Sequence, residues 1–81
     1  MSRWMYVRTN GYDMIVKIDG ETARVITETE DFPKSDDLVE SFMADVIDAD
    51  NSDSWEEYPA DAILAEIDAT DEILYEKEES R

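Results

Sequence analysis

The fold of this chain is decided by residues 4–29, which read WMYVRTNGYDMIVKIDGETARVITET. The stretch contains two turn dipeptides, Asn10-Gly11 and Asp19-Gly20, each flanked by alternating β-forming residues. Such dipeptides supply the positive φ angles that two-residue hairpin turns require. The stretch therefore predicts a three-stranded antiparallel meander with strands over 4–9, 12–18 and 21–29.

Both predicted hairpins place apolar side chains on the same face of the sheet. Two-residue turns pair Val7 with Met14 and Met5 with Val16 in the first hairpin, and they pair Val16 with Ala23 and Met14 with Val25 in the second. A slip of one residue would turn these side chains to the other face. The two registers agree on one apolar face, which comprises Met5, Val7, Met14, Val16, Ile18, Ala23 and Val25.

The opposite face of the predicted sheet mixes aromatic, basic and apolar residues. Such a face can stack single-stranded bases or hold a peptide. Cross-strand pairs that merely stabilise an exposed sheet face explain the same pattern, and the acidity of the chain favours this second interpretation. The residues that would bind in the first interpretation are Trp4, Tyr6, Arg8, Lys17 and Arg24.

Helical signals follow the meander. Ser35 precedes two aspartates and apolar residues at helical spacing, which predicts an amphipathic helix over 36–49 that covers the apolar sheet face. Residues 50–59 form an acidic loop, in which 55–58 suit one helical turn behind a Ser54/Glu57 capping box.

A second helix is predicted from Ala60. It either continues to about residue 78 or ends at a turn over 68–71 that leads to a short fourth strand over 72–76, and residue preferences favour the helix. The sequence thus predicts a single acidic α+β domain over 1–81, in which two helices pack on one face of the meander.

Composition restricts the chemistry of the chain. It has no histidine and no cysteine, so disulfides, Cys/His zinc sites and a histidine base are excluded. Both glycines fall in the hairpin turns, which leaves no glycine-rich phosphate loop. The segment from Asp48 to Ser52 begins like a calcium loop, but Asp53 and Pro59 replace its glycine and its glutamate. We therefore expect no enzyme activity, no cofactor and no metal.

Charge is distributed unequally along the chain. The formal net charge is −16, of which residues 1–30 contribute −1 and residues 31–81 contribute −15. Nucleic acids and anionic membranes carry the same sign, so the expected partner is a basic protein surface. No apolar stretch is long enough for a membrane span or a secretory signal, which predicts a cytoplasmic protein, either monomer or homodimer.

The acidic residues of the first helix and the loop are the candidate partner-binding set. A protein that imitates DNA must crowd carboxylates onto one surface, because the duplex carries about one charge per 1.7 Å of axis. The set comprises Asp37, Glu40, Asp45, Asp48, Asp50, Asp53, Glu56, Glu57 and Asp61. Solubility alone, or adaptation to high salt, is the alternative explanation of this acidity.

The layout of the chain resembles that of small acidic phage-encoded anti-CRISPR inhibitors. The similarity lies in the passage from 23–29 to 38–42, where strand sequence gives way to helix sequence, and in the acidic aromatic segment Ser54-Trp55-Glu56-Glu57-Tyr58. Those inhibitors occupy the DNA-recognition surface of a CRISPR nuclease. The resemblance implies a DNA-mimic inhibitor of a nucleic-acid-binding enzyme, and it identifies no individual contact residues.

Overall fold

A computed structural model describes residues 2–9, 11–27, 32–68 and 72–79 of the chain. The described residues form an α+β structure of five strands and two α-helices. Single 3₁₀ turns at Asp36–Leu38 and Ser52–Ser54 precede α1 and β4. The elements are β1 (Ser2–Arg8), β2 (Asp13–Asp19), β3 (Thr22–Ile26), α1 (Val39–Ala49), β4 (Glu56–Pro59), α2 (Ala60–Asp68) and β5 (Glu72–Glu79).

The strands form one antiparallel sheet in the order β4-β3-β2-β1-β5. The first hairpin has the predicted register, with Val7 opposite Met14 and Met5 opposite Val16. Its turn is closed by the Thr9 N–H, which donates to the carbonyl of Tyr12 over 2.8 Å. The prediction from the Asn10-Gly11 dipeptide is therefore confirmed for this pair of strands.

The second hairpin turns one residue later than predicted. Asp19 lies opposite Thr22, so the turn is centred on Gly20 and Glu21, and Val16 pairs with Val25 rather than with Ala23. Gly20 has a φ of 64°, whereas Glu21 is not among the described residues with positive φ. This is the pattern of a turn with glycine at its first central position. The pairing shifts by two residues, so every side chain keeps its predicted face. The last two residues of the predicted third strand, 28 and 29, lie outside the described residues.

The segment before α2 is a strand, so the prediction of a helical turn over 55–58 is wrong. β4 pairs with β3 at the sheet edge, and Pro59 stands opposite Thr22. A proline is tolerated at an edge because the N–H that it lacks is not needed there. The predicted capping box is also absent: the Ser54 hydroxyl donates to the carbonyl of Asn51.

The C-terminal segment settles the choice that the sequence left open. The favoured helix to residue 78 is wrong, and the alternative strand is correct but longer than predicted, since β5 spans Glu72–Glu79 and pairs with β1. The register shifts after Tyr6, where a bulge is accommodated. Backbone pairing with the free edge of β1 outweighs the helix preference of the side chains. Residues 69–71 of the predicted turn lie outside the described residues.

The two helices pack on opposite faces of the sheet, so the prediction that both cover one face is wrong. α2 covers the face that contains Met5, Val7 and Val16, through Ala60, Ile63 and Ile67. α1 covers the opposite face, which we call the mixed face. Val39 and Met43 of α1 pack there with Trp4, Tyr6 and Ile15. Each sheet face is apolar at its centre, and each must be buried. Neither described helix is long and apolar enough to cross a bilayer.

Candidate partner-binding surface

α1 carries one acidic stripe on its outer side. We call it the α1 stripe, and it consists of Asp37, Glu40, Asp45 and Asp48, where Asp37 belongs to the 3₁₀ turn that leads into the helix. These positions fall in one sector of a helix with about 3.6 residues per turn, opposite the buried residues Val39 and Met43. All four side chains are exposed. None of them makes an ion pair within the described part of the chain.

The position of Asp48 opposes the helix dipole. It lies in the last turn of α1, which contains no basic residue. A carboxylate at the negative end of a helix is unfavourable by about 0.3–1 kcal/mol at an exposed site. The acidity of this turn therefore does not serve the stability of the helix.

Asp48→Asn is expected to raise the free energy of unfolding by about 0.3–1 kcal/mol, because it removes charge from the negative end of the dipole. Urea denaturation followed by circular dichroism measures the change. Glu40→Gln, in the first turn of α1, is the matched control and should lower stability slightly. A loss of stability in Asp48→Asn would contradict the expectation.

Asp50 ends α1 and binds Lys17 on the neighbouring strand. Asp50 has left-handed backbone angles, with φ 40° and ψ 63°. The Lys17 ammonium donates to both carboxylate oxygens of Asp50, at 3.1 and 3.0 Å, and the hydroxyl of the buried Ser52 donates to Oδ1 at 2.9 Å. The hydrogen bond from Lys17 is the main reason that the pKa of Asp50 lies below its ordinary value. This carboxylate is therefore already occupied within the domain.

Arg24 binds the segment at the start of β4. It forms an ion pair with Glu57 at 2.9 Å, and its Nη1 donates to the carbonyls of Asp53 and Trp55 at 3.3 and 3.4 Å. Lys17 and Arg24 lie opposite each other on β2 and β3. Together they attach the acidic loop to the sheet. Asp50 and Glu57, two of the nine candidates, thus have structural partners.

The remaining candidates do not extend the stripe as one track. Asp53 is exposed in the 3₁₀ turn after α1. Glu56 stands opposite Val25, whose side chain packs toward α2, so Glu56 is on the other side of the sheet. Asp61 is in the first turn of α2. The nine candidates are therefore divided between the two faces.

The mixed sheet face is not open to a ligand. Trp4 is 1% exposed and Tyr6 is fully buried, since α1 packs over both. Because these aromatic rings are buried, they cannot stack bases or hold a peptide as the sequence suggested. The aromatic residues that suggested a binding face instead form the hydrophobic core between α1 and the sheet.

The basic residues of that face are also engaged. Lys17 and Arg24 hold the loop, and the Lys17 ammonium lies 5.1 Å from the centroid of the Trp4 ring. Arg8 forms ion pairs with Asp13 at 3.1 Å and with Asp36 at 3.0 Å. Each of these three cations is thus paired with a carboxylate of the domain.

A pocket of about 430 Å³ lies at the sheet edge where β4 begins, and we call it the edge pocket. Its lining includes Ile26, Thr27, Asn51, Trp55, Glu56 and Tyr58. The sequence does not predict this pocket, because the capping box favours a helical turn over 55–58. The order Trp55-Glu56-Glu57-Tyr58 does not alternate as a half-buried strand does, so the sequence contained no local signal for this strand.

The described residues contain no group of three or more acidic side chains arranged to hold a metal ion. In the segment that begins like a calcium loop, the Asp50 carboxylate binds an ammonium group instead. Comparison of the chain with protein-family models, with curated proteins and with solved structures gave no match.

Proposed function

We propose that this chain is a non-enzymatic acidic interaction protein, which binds a basic protein surface through the α1 stripe and acts as a DNA-mimic inhibitor of a nucleic-acid-binding enzyme. One observation carries the proposal. Arg3, Arg8, Lys17 and Arg24 are each paired with a carboxylate inside the domain, whereas the stripe has no such partner among the described residues. Four carboxylates without an ion pair therefore share the outer side of one exposed helix.

The spacing of the stripe suits one row of phosphates. From Asp37 to Asp48 the helix rises about 16 Å, so the four carboxylates recur about every 5 Å. A single DNA strand has a phosphate about every 3.4 Å of axis, and the duplex has one about every 1.7 Å. The stripe is nearer to the charge density of one strand than to that of the duplex. It would occupy the part of a basic groove that contacts one strand.

The orientation of α1 supports this role. Its inner side is fixed by the buried residues Val39 and Met43, and its last turn is followed by the Lys17–Asp50 ion pair. A rigid helix holds its carboxylates in place before binding, which reduces the entropy lost on association. Opposite charge on the partner also accelerates the encounter, an effect that salt suppresses.

Neutralising the stripe should strongly reduce capture of a basic nucleic-acid-binding protein. The test uses immobilised wild-type chain in a host lysate at low salt, beside a variant with Asp37→Asn, Glu40→Gln, Asp45→Asn and Asp48→Asn. We expect recovery to fall at least about tenfold, because four charge contacts are lost at about 0.5 kcal/mol each or more. Each captured protein is then tested for release of its bound DNA by the wild-type chain.

A second variant controls for bulk charge. It neutralises four exposed carboxylates outside the stripe: Asp19, Glu21, Glu66 and Glu72. This variant should capture the same proteins as the wild type. Equal recovery by the wild type and both variants would contradict the proposal and leave the acidity to solubility or high-salt adaptation. Capture of a protein that keeps its DNA would contradict the DNA-mimic part alone.

A further inference from the structure

Among the described residues, the backbone of Thr27 has no strand partner at the edge pocket. The Ala60 N–H donates to the carbonyl of Glu21 over 2.9 Å, which fixes the direction of the main-chain groups along β3. Since these directions alternate in an antiparallel sheet, Val25 and Thr27 both face the β4 side. β4 begins opposite Val25, so no strand of the described structure reaches Thr27. One further residue of an incoming chain can pair there.

Part of the wall of the edge pocket is apolar, and these side chains are held in place. Ile26 and Trp55 belong to the aromatic cluster under α1, and the Trp55 ring meets that of Trp4 edge-on at a centroid distance of 6.1 Å. Arg24 also binds the Trp55 carbonyl. Tyr58, which is 39% exposed, completes the wall from the other side of the sheet. A volume of about 430 Å³ accommodates one large side chain and adjoining backbone.

The rim of the pocket is polar and negative. Glu56 lies at the rim with Asn51 and Ser54. The Glu56 carboxylate accepts a hydrogen bond from the Tyr58 hydroxyl and remains exposed. With a formal charge of −16 on the whole chain, a segment that approaches this edge is selected for positive charge. A second copy of the chain is disfavoured for the same reason.

We propose that the edge pocket binds an extended basic segment of the partner, with a single backbone pairing beside the end of β3. An apolar or aromatic side chain of that segment fills the pocket, a lysine or arginine pairs with Glu56, and the backbone pairs with Thr27. This inference rests on the proposed function in taking the partner as basic. It adds an apolar anchor to a contact that would otherwise depend on charge alone.

The probe is the capped peptide Lys-Lys-Val-Phe-Val-Lys, titrated into the full-length chain by calorimetry and by tryptophan fluorescence. Trp55 lines the pocket, so occupancy should shift the emission of the protein to shorter wavelength. Replacing the phenylalanine of the peptide by serine should weaken binding about tenfold, because the anchor is lost. Replacing its lysines by glutamate should abolish binding.

Variants of the protein test the same contacts. Tyr58→Ala should weaken binding about fivefold or more, as truncation of an aromatic contact does, and Glu56→Gln about two- to threefold. Ile73→Ser is the matched control, since Ile73 is an exposed apolar residue on β5 at the opposite edge of the sheet. It should bind the peptide as the wild type does. Circular dichroism establishes that each variant is folded.

Two results obtained with the purified chain would overturn the inference. One is equal affinity for the phenylalanine and serine peptides, or equal affinity in wild type and the folded Tyr58→Ala and Glu56→Gln variants. The other is a dimer in sedimentation that Tyr58→Ala dissociates, which would identify a second copy as the occupant. Partner capture that the stripe variant loses and Tyr58→Ala keeps would refute the pocket alone. Peptide binding that needs Tyr58, with capture unaffected by the stripe variant, would refute the stripe alone.

Discussion

Trp4→Ala is expected to lower the free energy of unfolding by about 3–5 kcal/mol, as large-to-small substitutions of buried aromatic residues do. Trp4 is 1% exposed and lies between α1 and the sheet, with Trp55 against its ring. A domain of this size is typically stable by about 5–15 kcal/mol, so the variant should be close to unfolded. Chemical denaturation followed by circular dichroism measures the loss.

Trp4→Phe separates the packing of the ring from its polar atom. The indole N–H of Trp4 is buried and has no acceptor among the described residues. An unsatisfied buried donor is unfavourable by about 1–3 kcal/mol, and phenylalanine removes it while keeping an aromatic ring. The loss in Trp4→Phe should therefore be well below that in Trp4→Ala. Equal losses would show that the N–H has a partner that stabilises the fold.

Asp13→Asn is expected to lower the free energy of unfolding by about 1.5–3 kcal/mol at neutral pH, the range for hydrogen bonds to charged groups. The buried Tyr6 hydroxyl donates to Oδ2 of Asp13 over 2.6 Å, and Arg8 Nε donates to Oδ1 over 3.1 Å. Partial burial of Asp13 raises its pKa, but these hydrogen bonds outweigh burial and the pKa lies below its ordinary value. The charged form is thus favoured by folding.

The pH dependence of Asp13→Asn follows from that direction. A carboxyl whose pKa is lower in the folded state stabilises the protein above its unfolded pKa of about 3.9, and this contribution is lost as the pH falls through the folded pKa. Urea denaturation of wild type and variant should therefore show the full difference at neutral pH and a smaller one below about pH 4. A difference that is independent of pH would contradict the role of the charge.

Tyr6→Phe provides the matched control for this network. Burial of Tyr6, followed by its hydrogen bond to Asp13, raises the pKa of the phenol above its ordinary value. The phenol therefore contributes stability below its unfolded pKa of about 10, and this contribution is lost as the pH rises toward the folded pKa. Tyr6→Phe should remove that alkaline loss. In the double variant, the acid dependence should not exceed that of Asp13→Asn alone.

Local signals in the sequence were sufficient for the first hairpin and for the amphipathic helix. The Asn10-Gly11 dipeptide was enough to predict the register of β1 and β2, because the turn and the strands that it joins are adjacent in the chain. The faces of the helices were not predictable in the same way. Both sheet faces have apolar centres, Met5 on one and Trp4 on the other. Arg8, Lys17 and Arg24 suggest that the face with Trp4 is exposed. Their charged groups in fact pair with carboxylates around its buried apolar centre.

The candidate surface was predictable only in part. Helical spacing was enough to place Glu40 and Asp48 on the outer side of α1. The engagement of Asp50 by Lys17 and of Glu57 by Arg24 depends on contacts between residues 33 positions apart in each pair. No local pattern encodes such contacts. For the same reason, the pairing of β5 with β1 overrode the helix preference of the C-terminal residues.

The position of β5 at the edge next to β1 has a consequence for synthesis of the protein. Ser2 pairs with Glu79, so the first of the described strands in chain order is paired with the last of them. Contacts between distant parts of a chain slow folding, and long-range strand pairing is typically formed in milliseconds to seconds. On the ribosome, the outer edge of β1 therefore stays unpaired until the C-terminal segment has emerged. An open strand edge is a site of aggregation. In the folded sheet β5 is the edge strand on this side, and its glutamates disfavour pairing with another chain.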